Sequence, residues 1–487
     1  MDLKINLLQL REHGIVAEMK QDIVHISGLA NCMNGQLVQI GEAAEGVIVG
    51  FDQQYALVLI VAQTGTIKPG DRASSLIQSF SVPVGEGFLG RRVDAMAMPS
   101  DGRGAIVAAK RYPIFGKAPS VLDRRQLTEA LPMGVKILDM MIPIGKGQRQ
   151  LIIGDRMTGK TSIATDAILM QKNTGTICIY CCIGKAEAAL AKVTELFDRE
   201  DVWKYGVIVA ATAADSMGKQ YLAPYVATSI GEYFMYEKGM DVLVIFDDLT
   251  KHAWTYRQMS LLLERSPGRD AYPGDIFYLH SQLVERAARL SVTKGGGSMT
   301  HLPIVETLQG DVTGYIPSNT ISMTDGQIYM NTTMFGEGFK PAIDVKLSVS
   351  RIGSKVQWRA MKSLAGMMRL EYLNFLQLLK LTRVKAGVSA EVEARLKRGK
   401  VVAELLKQSN STPVPMEEQV ITLFAFREGF FNDVQPEHVH ERLGRLLTGI
   451  RRNKPELLVE MAKAKDLTEE IKEGLKNEFT RFGNSAV

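Results

Sequence analysis

The sequence predicts three units of different class in series: an N-terminal β-barrel over residues 1–82, a central α/β unit over 83–357 and a C-terminal α-helical bundle over 358–487. Three observations carry this. A chain of 487 residues with 46% hydrophobic content is too long for one core. Short β-rich apolar runs, punctuated by Gly, Asn and Asp, end near residue 82 and give way to alternating strand and helix patterns. The last stretch is amphipathic at the helical period.

In the N-terminal unit the runs are "GIVAEM", "IVHISGL", "QLVQI", "GVIVGF" and "YALVLIV". Each has the length of one strand, which predicts a small all-β barrel or sandwich. In the C-terminal unit "MKSLAGMMRLEYLNFLQLLKL", "SAEVEARLKRGKVVAELLK" and "TEEIKEGLKNEFTRF" read as helices. Pro413 and Pro415, in "SNSTPVPMEE", mark a loop between two of them.

The central unit carries the chemistry. In "GDRMTGKTS", Gly154, four residues and then Gly159-Lys160-Thr161 make a loop whose backbone N–H groups can face phosphate oxygens. Lys160 can reach the β- and γ-phosphates, and the Thr161 hydroxyl can ligate Mg²⁺. The apolar run "GQRQLIIG" before it and the helical spacing of "TSIATDAILMQ" after it supply the strand, loop and helix that the motif requires. "DVLVIFDDL" reads as a buried parallel strand ending in carboxylates, with Asp247 the residue that holds the metal, through water. The central unit is therefore expected to be a RecA-like P-loop nucleotide-binding domain with ATP or ADP and Mg²⁺ as ligands. Its predicted nucleotide contacts are Gly154, Asp155, Arg156, Met157, Thr158, Gly159, Lys160, Thr161 and Ser162; its predicted metal residues are Thr161 and Asp247.

Composition excludes other classes. With 58 basic against 53 acidic residues and a net charge of +5, the chain is too balanced for a dedicated nucleic-acid binder. No apolar run approaches the roughly 18 residues needed to span a bilayer, and "MDLKINLLQLREHG" lacks a signal-peptide layout, so a cytoplasmic-facing soluble protein is expected. Of four cysteines, Cys178, Cys181 and Cys182 lie in "TICIYCCIG" without a second pair at metal-ligand spacing, which points to small buried residues on a core strand.

Long stretches resemble the α subunits of F-type ATP synthases. They are "GLANCMNGQLV" (28–38), "PIGKGQRQLIIGDRMTGKTSIATDAI" (143–168), "DDLTKHAWTYRQMSLLLERSPGRDAYPGDIFYLHSQLVERAARL" (247–290), "GGGSMTHLPIVETLQGDVTGYIPSNTISMTDGQIYM" (295–330) and "LSVSRIGSKVQ" (347–357). The resemblance implies a ring of alternating α and β subunits (α3β3) around a central-stalk γ subunit, with a peripheral-stalk δ subunit and, indirectly, a membrane sector. The implied location is the cytoplasmic face of an energy-transducing membrane, with no nucleic-acid partner. It implies that Arg351, in "SVSRIG", is an arginine finger that neutralises phosphoryl charge in the neighbouring catalytic β subunit, with Ser348 helping to position it. It also implies nucleotide contacts from Gln171 and Gln408, with Asn410 standing where a second adenine-side glutamine would be. "SPGRDAYPGD" (266–275) resembles the loop that bears on the central stalk, with Ser266 in place of a usual proline.

Three departures qualify the resemblance. Catalytic relatives carry a glutamate after the strand that follows the P-loop helix, and the α pattern carries glutamine; here the position is Lys185, which cannot act as a carboxylate base. Binding without useful hydrolysis is expected, since Glu187, the local acidic candidate, would be turned away from position 185 by helical geometry. The N-terminal tail through which typical α subunits hold the peripheral stalk is expected to be mostly missing. "LLKLTRVKAGVSAEVE" (378–393) replaces a stretch usually richer in Phe, Gln and Asp.

Two other readings stay open at this stage. A self-sufficient hexameric ATPase needs the missing glutamate within this chain. A ring translocase of RNA predicts a basic, aromatic surface on the β domain, whereas residues 21–60 are nearly devoid of basic residues.

Overall fold

The computed structural model describes residues 11–382 and 389–483. The expectation about the N-terminal tail and the middle of the 378–393 stretch lie outside the described residues.

The first unit is a closed barrel of six strands in the order Arg11–Lys20, Ile23–Ser27, Ala56–Gln63, Ala44–Phe51, Gln36–Ile40 and Arg72–Ser79. Neighbours pair antiparallel. Alternate residues fill the interior, among them Val24, Ile26, Val38, Ile40, Val58 and Ile60. Five of the strands follow the β-rich runs. The sixth, "RASSLIQS", has no such run: its buried Ser75 takes an interior position because its hydroxyl donates to the Leu37 carbonyl of the paired strand at 3.1 Å.

The central sheet runs Val349–Ser350, Gly326–Met330, Leu151–Gly154, Ser298–Glu306, Asp241–Asp247, Ile177–Ile183, Gly206–Ala211 and Arg92–Asp94. It is parallel except for the edge strand Val349–Ser350 and the short Ala288–Arg289, which pair antiparallel. Helices cover both faces, which explains why its strands read as continuous apolar runs instead of alternating ones. Cys178, Tyr180 and Cys182 face one core, while Ile179, Cys181 and Ile183 face the other. The three cysteines are thus buried strand residues, as expected. Among the described residues no cluster of His, Cys, Asp and Glu could hold a metal.

Among the described residues, six helices make up the C-terminal unit: Arg359–Thr382, Ala390–Leu406, Met416–Arg427, Val439–Asn453, Pro455–Ala464 and Glu469–Gly483. Met416–Arg427 has no polar face to read, since almost every residue from Met416 to Phe426 is buried. The larger core runs without interruption from one face of the sheet, through Ile152, Ile245 and Ile328, into Phe375, Phe424 and Leu446 of these helices. The C-terminal helices therefore close over the edge of the sheet where the glycine loop lies.

Candidate nucleotide site

The P-loop is held in shape by two glycines and one carboxylate. Leu151–Gly154 ends with Gly154 against the neighbouring strand, where a Cβ would stand 2.5 Å from the Met330 carbonyl oxygen. Gly159 adopts a left-handed φ of 96° and starts the helix Lys160–Met170. The Asp155 carboxylate accepts from the Thr307 hydroxyl at 2.6 Å, the Gly310 N–H at 2.8 Å and the Thr332 hydroxyl at 2.9 Å. Asp155 is thus an anchor beneath the loop. No side chain caps the helix, so its first N–H groups remain available to an anion.

Above the loop lies a cavity of ≈ 360 Å³ that Met157, Thr158, Gly159, Lys160, Thr161 and Ser162 line from one side and Gln408, Ser409 and Asn410 from the other. Gly154, Asp155 and Arg156 do not line it. Gln171 does not either: it is buried at the far end of the P-loop helix, and its amide donates to the carbonyls of Pro132 and Ala167 at 2.7 and 3.1 Å. The Gln408 side chain is engaged by backbone on both ends. It accepts from the Lys136 N–H at 3.0 Å and donates to the carbonyls of Gly134 and Thr412 at 2.7 and 2.8 Å. This fixes the Gln408–Asn410 turn over the cavity.

Two carboxylates reach the cavity that sequence reading did not identify. Asp166 lies less than two helical turns after Lys160 and accepts from the Ser411 N–H at 2.8 Å; burial pushes its pKa up to about 6. Glu306 ends the strand beside the P-loop strand and is held by Arg156 at 2.9 Å. Neither carries a sequence signal, because each owes its place to a partner distant in the chain. Glu187 is exposed and outside the cavity. The reason differs from the one expected: the helix begins at Glu187 itself, so helical geometry does not relate it to Lys185.

Lys185 is where the site departs most from expectation. Ile177–Ile183 and Asp241–Asp247 are parallel neighbours, with Cys182 opposite Asp247, and Gly184 turns the backbone at a φ of 60°. That turn brings the Lys185 ammonium into an ion pair with Asp247 Oδ1 and within 3.2 Å of the Thr161 hydroxyl, to which it donates. Thr161 donates in turn to Asp247 Oδ2 at 2.8 Å, and the Tyr180 hydroxyl donates to the same oxygen at 2.7 Å. Burial disfavours the Lys185 charge, but Asp247 and Asp248 outweigh it and raise its pKa above the ordinary lysine value. Burial, reinforced by Asp247, pushes the neighbouring Asp248 up to about 7. The Lys160 ammonium donates to the carbonyls of Gly154 and Asp155 at 2.9 and 2.5 Å.

Thr161 and Asp247, the two expected metal residues, are brought together, yet both are already taken by Lys185. Mg²⁺ would need the Thr161 oxygen within about 2.1 Å, and that oxygen already accepts from the Lys185 ammonium, so the two cations would compete for the same ligands. This donor set fits an ammonium and does not fit a divalent cation beside it.

Arg351 lies outside this arrangement. It is exposed, does not line the cavity, and follows the edge strand Val349–Ser350. Its backbone N–H donates to the Asp325 carbonyl at 2.8 Å, and the Asp325 carboxylate is gripped by Arg149 at 2.7 Å. Ser348 is buried, and its hydroxyl accepts from the Tyr329 N–H at 2.9 Å, which pins the start of the edge strand to its neighbour.

A sheet that positions a glycine loop at the carboxyl ends of its strands, between a β-barrel and a helical unit, defines a P-loop nucleotide-binding protein of three domains. The nucleotide-binding domain of the ATP synthase alpha/beta family matches residues 134–350, and the C-terminal domain of the same family matches 357–482. The sequence is 42% identical over 480 residues, 98% of its length and 95% of the relative's, to the ATP synthase subunit alpha of Petrotoga mobilis (strain DSM 10674 / SJ95). The protein belongs to the ATP synthase alpha/beta family, on its alpha side, and is thereby a nucleotide-binding component of an ATPase complex. No described helix is long and apolar enough to cross a membrane.

Proposed function

We propose that this protein is the regulatory, non-hydrolysing nucleotide-binding subunit of a rotary, proton-translocating ATP synthase. It holds ATP or ADP at its own P-loop and supplies Arg351 to the catalytic site of an adjacent β subunit in an alternating α3β3 ring around γ, on the cytoplasmic face of an energy-transducing membrane. The observation that carries the first half is the Lys185–Asp247 ion pair at the position of the catalytic carboxylate. A cation there attracts phosphate but cannot orient and deprotonate water. The two carboxylates that do line the cavity support the same reading, since Glu306 is neutralised by Arg156 and Asp166 is tied to the Ser411 N–H.

The second half is supported by where Arg351 stands. Its guanidinium is exposed and outside the cavity of its own chain, and its backbone is anchored to Asp325, which supports a role on another molecule. Residues 266–271, within the stretch that resembles the central-stalk loop, are likewise exposed.

The test is nucleotide binding and turnover by the isolated full-length protein. The expected result is saturable binding of ATP and ADP, lost in Lys160→Ala, with negligible hydrolysis. Robust multiple turnover that Lys160→Ala abolishes would overturn the reading.

A further inference from the structure

We infer that Lys185 replaces the divalent cation at this site, so that the protein binds the nucleoside polyphosphate in its metal-free form. The inference rests on the proposal that the cavity above the P-loop binds nucleotide, and it specifies which ionic species of nucleotide that is.

In a metal-dependent P-loop the threonine that follows the lysine offers its oxygen to the ion, and a carboxylate at the end of another strand of the sheet holds the ion. Here the same two groups hold an ammonium. The Thr161 proton goes to Asp247 Oδ2 at 2.8 Å, and the Thr161 oxygen accepts from Lys185 at 3.2 Å. The second Asp247 oxygen is ion-paired with Lys185, and Tyr180 adds a further donor to Oδ2 at 2.7 Å. Oδ2 thus takes two hydroxyl donors, and the charge at Oδ1 is met by the Lys185 ammonium instead of a metal.

The geometry leaves Lys185 able to serve a phosphate. An ammonium has three N–H donors. One points to Asp247 and one to Thr161, which leaves the third for the cavity that Lys185 lines. Lys160 is arranged in the same way, with two donors on the carbonyls of Gly154 and Asp155. Lys340 is a third ammonium in the lining. Glu306, the acidic residue beside the loop, is already paired with Arg156. Positive charge that a bound metal would bring is thus built into the protein, and Gly184 supplies the turn that aims it.

The experiment is calorimetric titration of the full-length protein with ADP and with ATP, once in EDTA and once in excess Mg²⁺. It is paired with the electron paramagnetic resonance of Mn²⁺ added to the nucleotide-saturated protein. The expected result for the native protein is a Kd that agrees within about threefold between the two conditions, with a Mn²⁺ spectrum that stays that of the free ion and its nucleotide complex in solution. In Lys185→Gln, affinity in EDTA should fall by more than about tenfold relative to Mg²⁺, and Mn²⁺ should become immobilised with the nucleotide. A native protein that loses more than about tenfold in EDTA, or that immobilises one Mn²⁺ per nucleotide, overturns the inference. Loss of binding in Lys160→Ala under both conditions would then leave the underlying nucleotide site standing. A native protein that binds neither nucleotide in either condition overturns both.

Discussion

His252 and His280 lie inside the central domain with rings 3.1 Å apart at His252 Nδ1 and His280 Nε2, and His252 Nε2 meets the Tyr221 carbonyl at 3.0 Å. Both are buried, and burial lowers the His252 pKa to about 4 and holds the His280 pKa well below the ordinary histidine value. In the unfolded state a histidine binds its proton near pH 6.5. Between about pH 6.5 and 4 the unfolded state therefore holds more protons than the folded one, so stability falls as pH drops through that window. For His252 the full effect amounts to about 3 kcal/mol. Urea denaturation at a series of pH values should show this slope, and His252→Gln should reduce it by up to about one proton while lowering stability at pH 7 through the altered contact with Tyr221. An unchanged slope would mean that other groups carry the acid sensitivity.

At the scale of elements, the helix Met217–Glu237 is fastened by a buried ion pair. Arg286 is 1% exposed and meets Glu232 through two contacts of 2.7 Å, with further bonds to the Ile114 carbonyl and Ser229. Removing one partner strands the other charge, so Arg286→Met should cost about 3–5 kcal/mol in thermal or chemical unfolding, and adding Glu232→Leu should recover much of it. A double variant no more stable than the single one would show that the pair's packing matters more than its charges. Which elements the sequence disclosed follows from the same physics. The glycine loop was legible because its residues follow one another in the chain at fixed spacing and Gly159 answers a local requirement, a left-handed turn. The buried parallel strands were legible because both faces are covered and only apolar residues suit them. The strand Arg72–Ser79 was not, since its buried Ser75 is satisfied by the Leu37 carbonyl of the paired strand, and Met416–Arg427 was not, since burial on nearly all sides erases the stripe. In the site, the replacement at Lys185 could be read as a missing base. Its pairing with Asp247, and the arrival of Glu306 and Asp166, depend on strand order and distant partners that a single sequence does not display.

At the scale of the whole molecule, the central claim is that this subunit's chemistry is performed in a neighbour's site. Arg351 is held through its backbone, and its guanidinium has no role in the cavity of its own subunit, so nucleotide affinity at the P-loop should be nearly unchanged in Arg351→Ala. The same asymmetry argues against a working homohexamer, in which each finger would face a site lacking its base. Trans fingers contribute roughly 10³ to 10⁵ in rate, or about 4 to 7 kcal/mol of transition-state stabilisation. Arg351→Lys keeps the charge but loses the planar donor fork, and turnover should remain severely impaired. The most direct measurement is ATP turnover at saturating nucleotide by the complex reconstituted from this subunit and its catalytic partner, with native Arg351 and with Arg351→Ala assembled to the same extent. The account predicts a loss of about 10³-fold or more with P-loop occupancy preserved; an assembled Arg351→Ala complex that turns over at a near-native rate would contradict it.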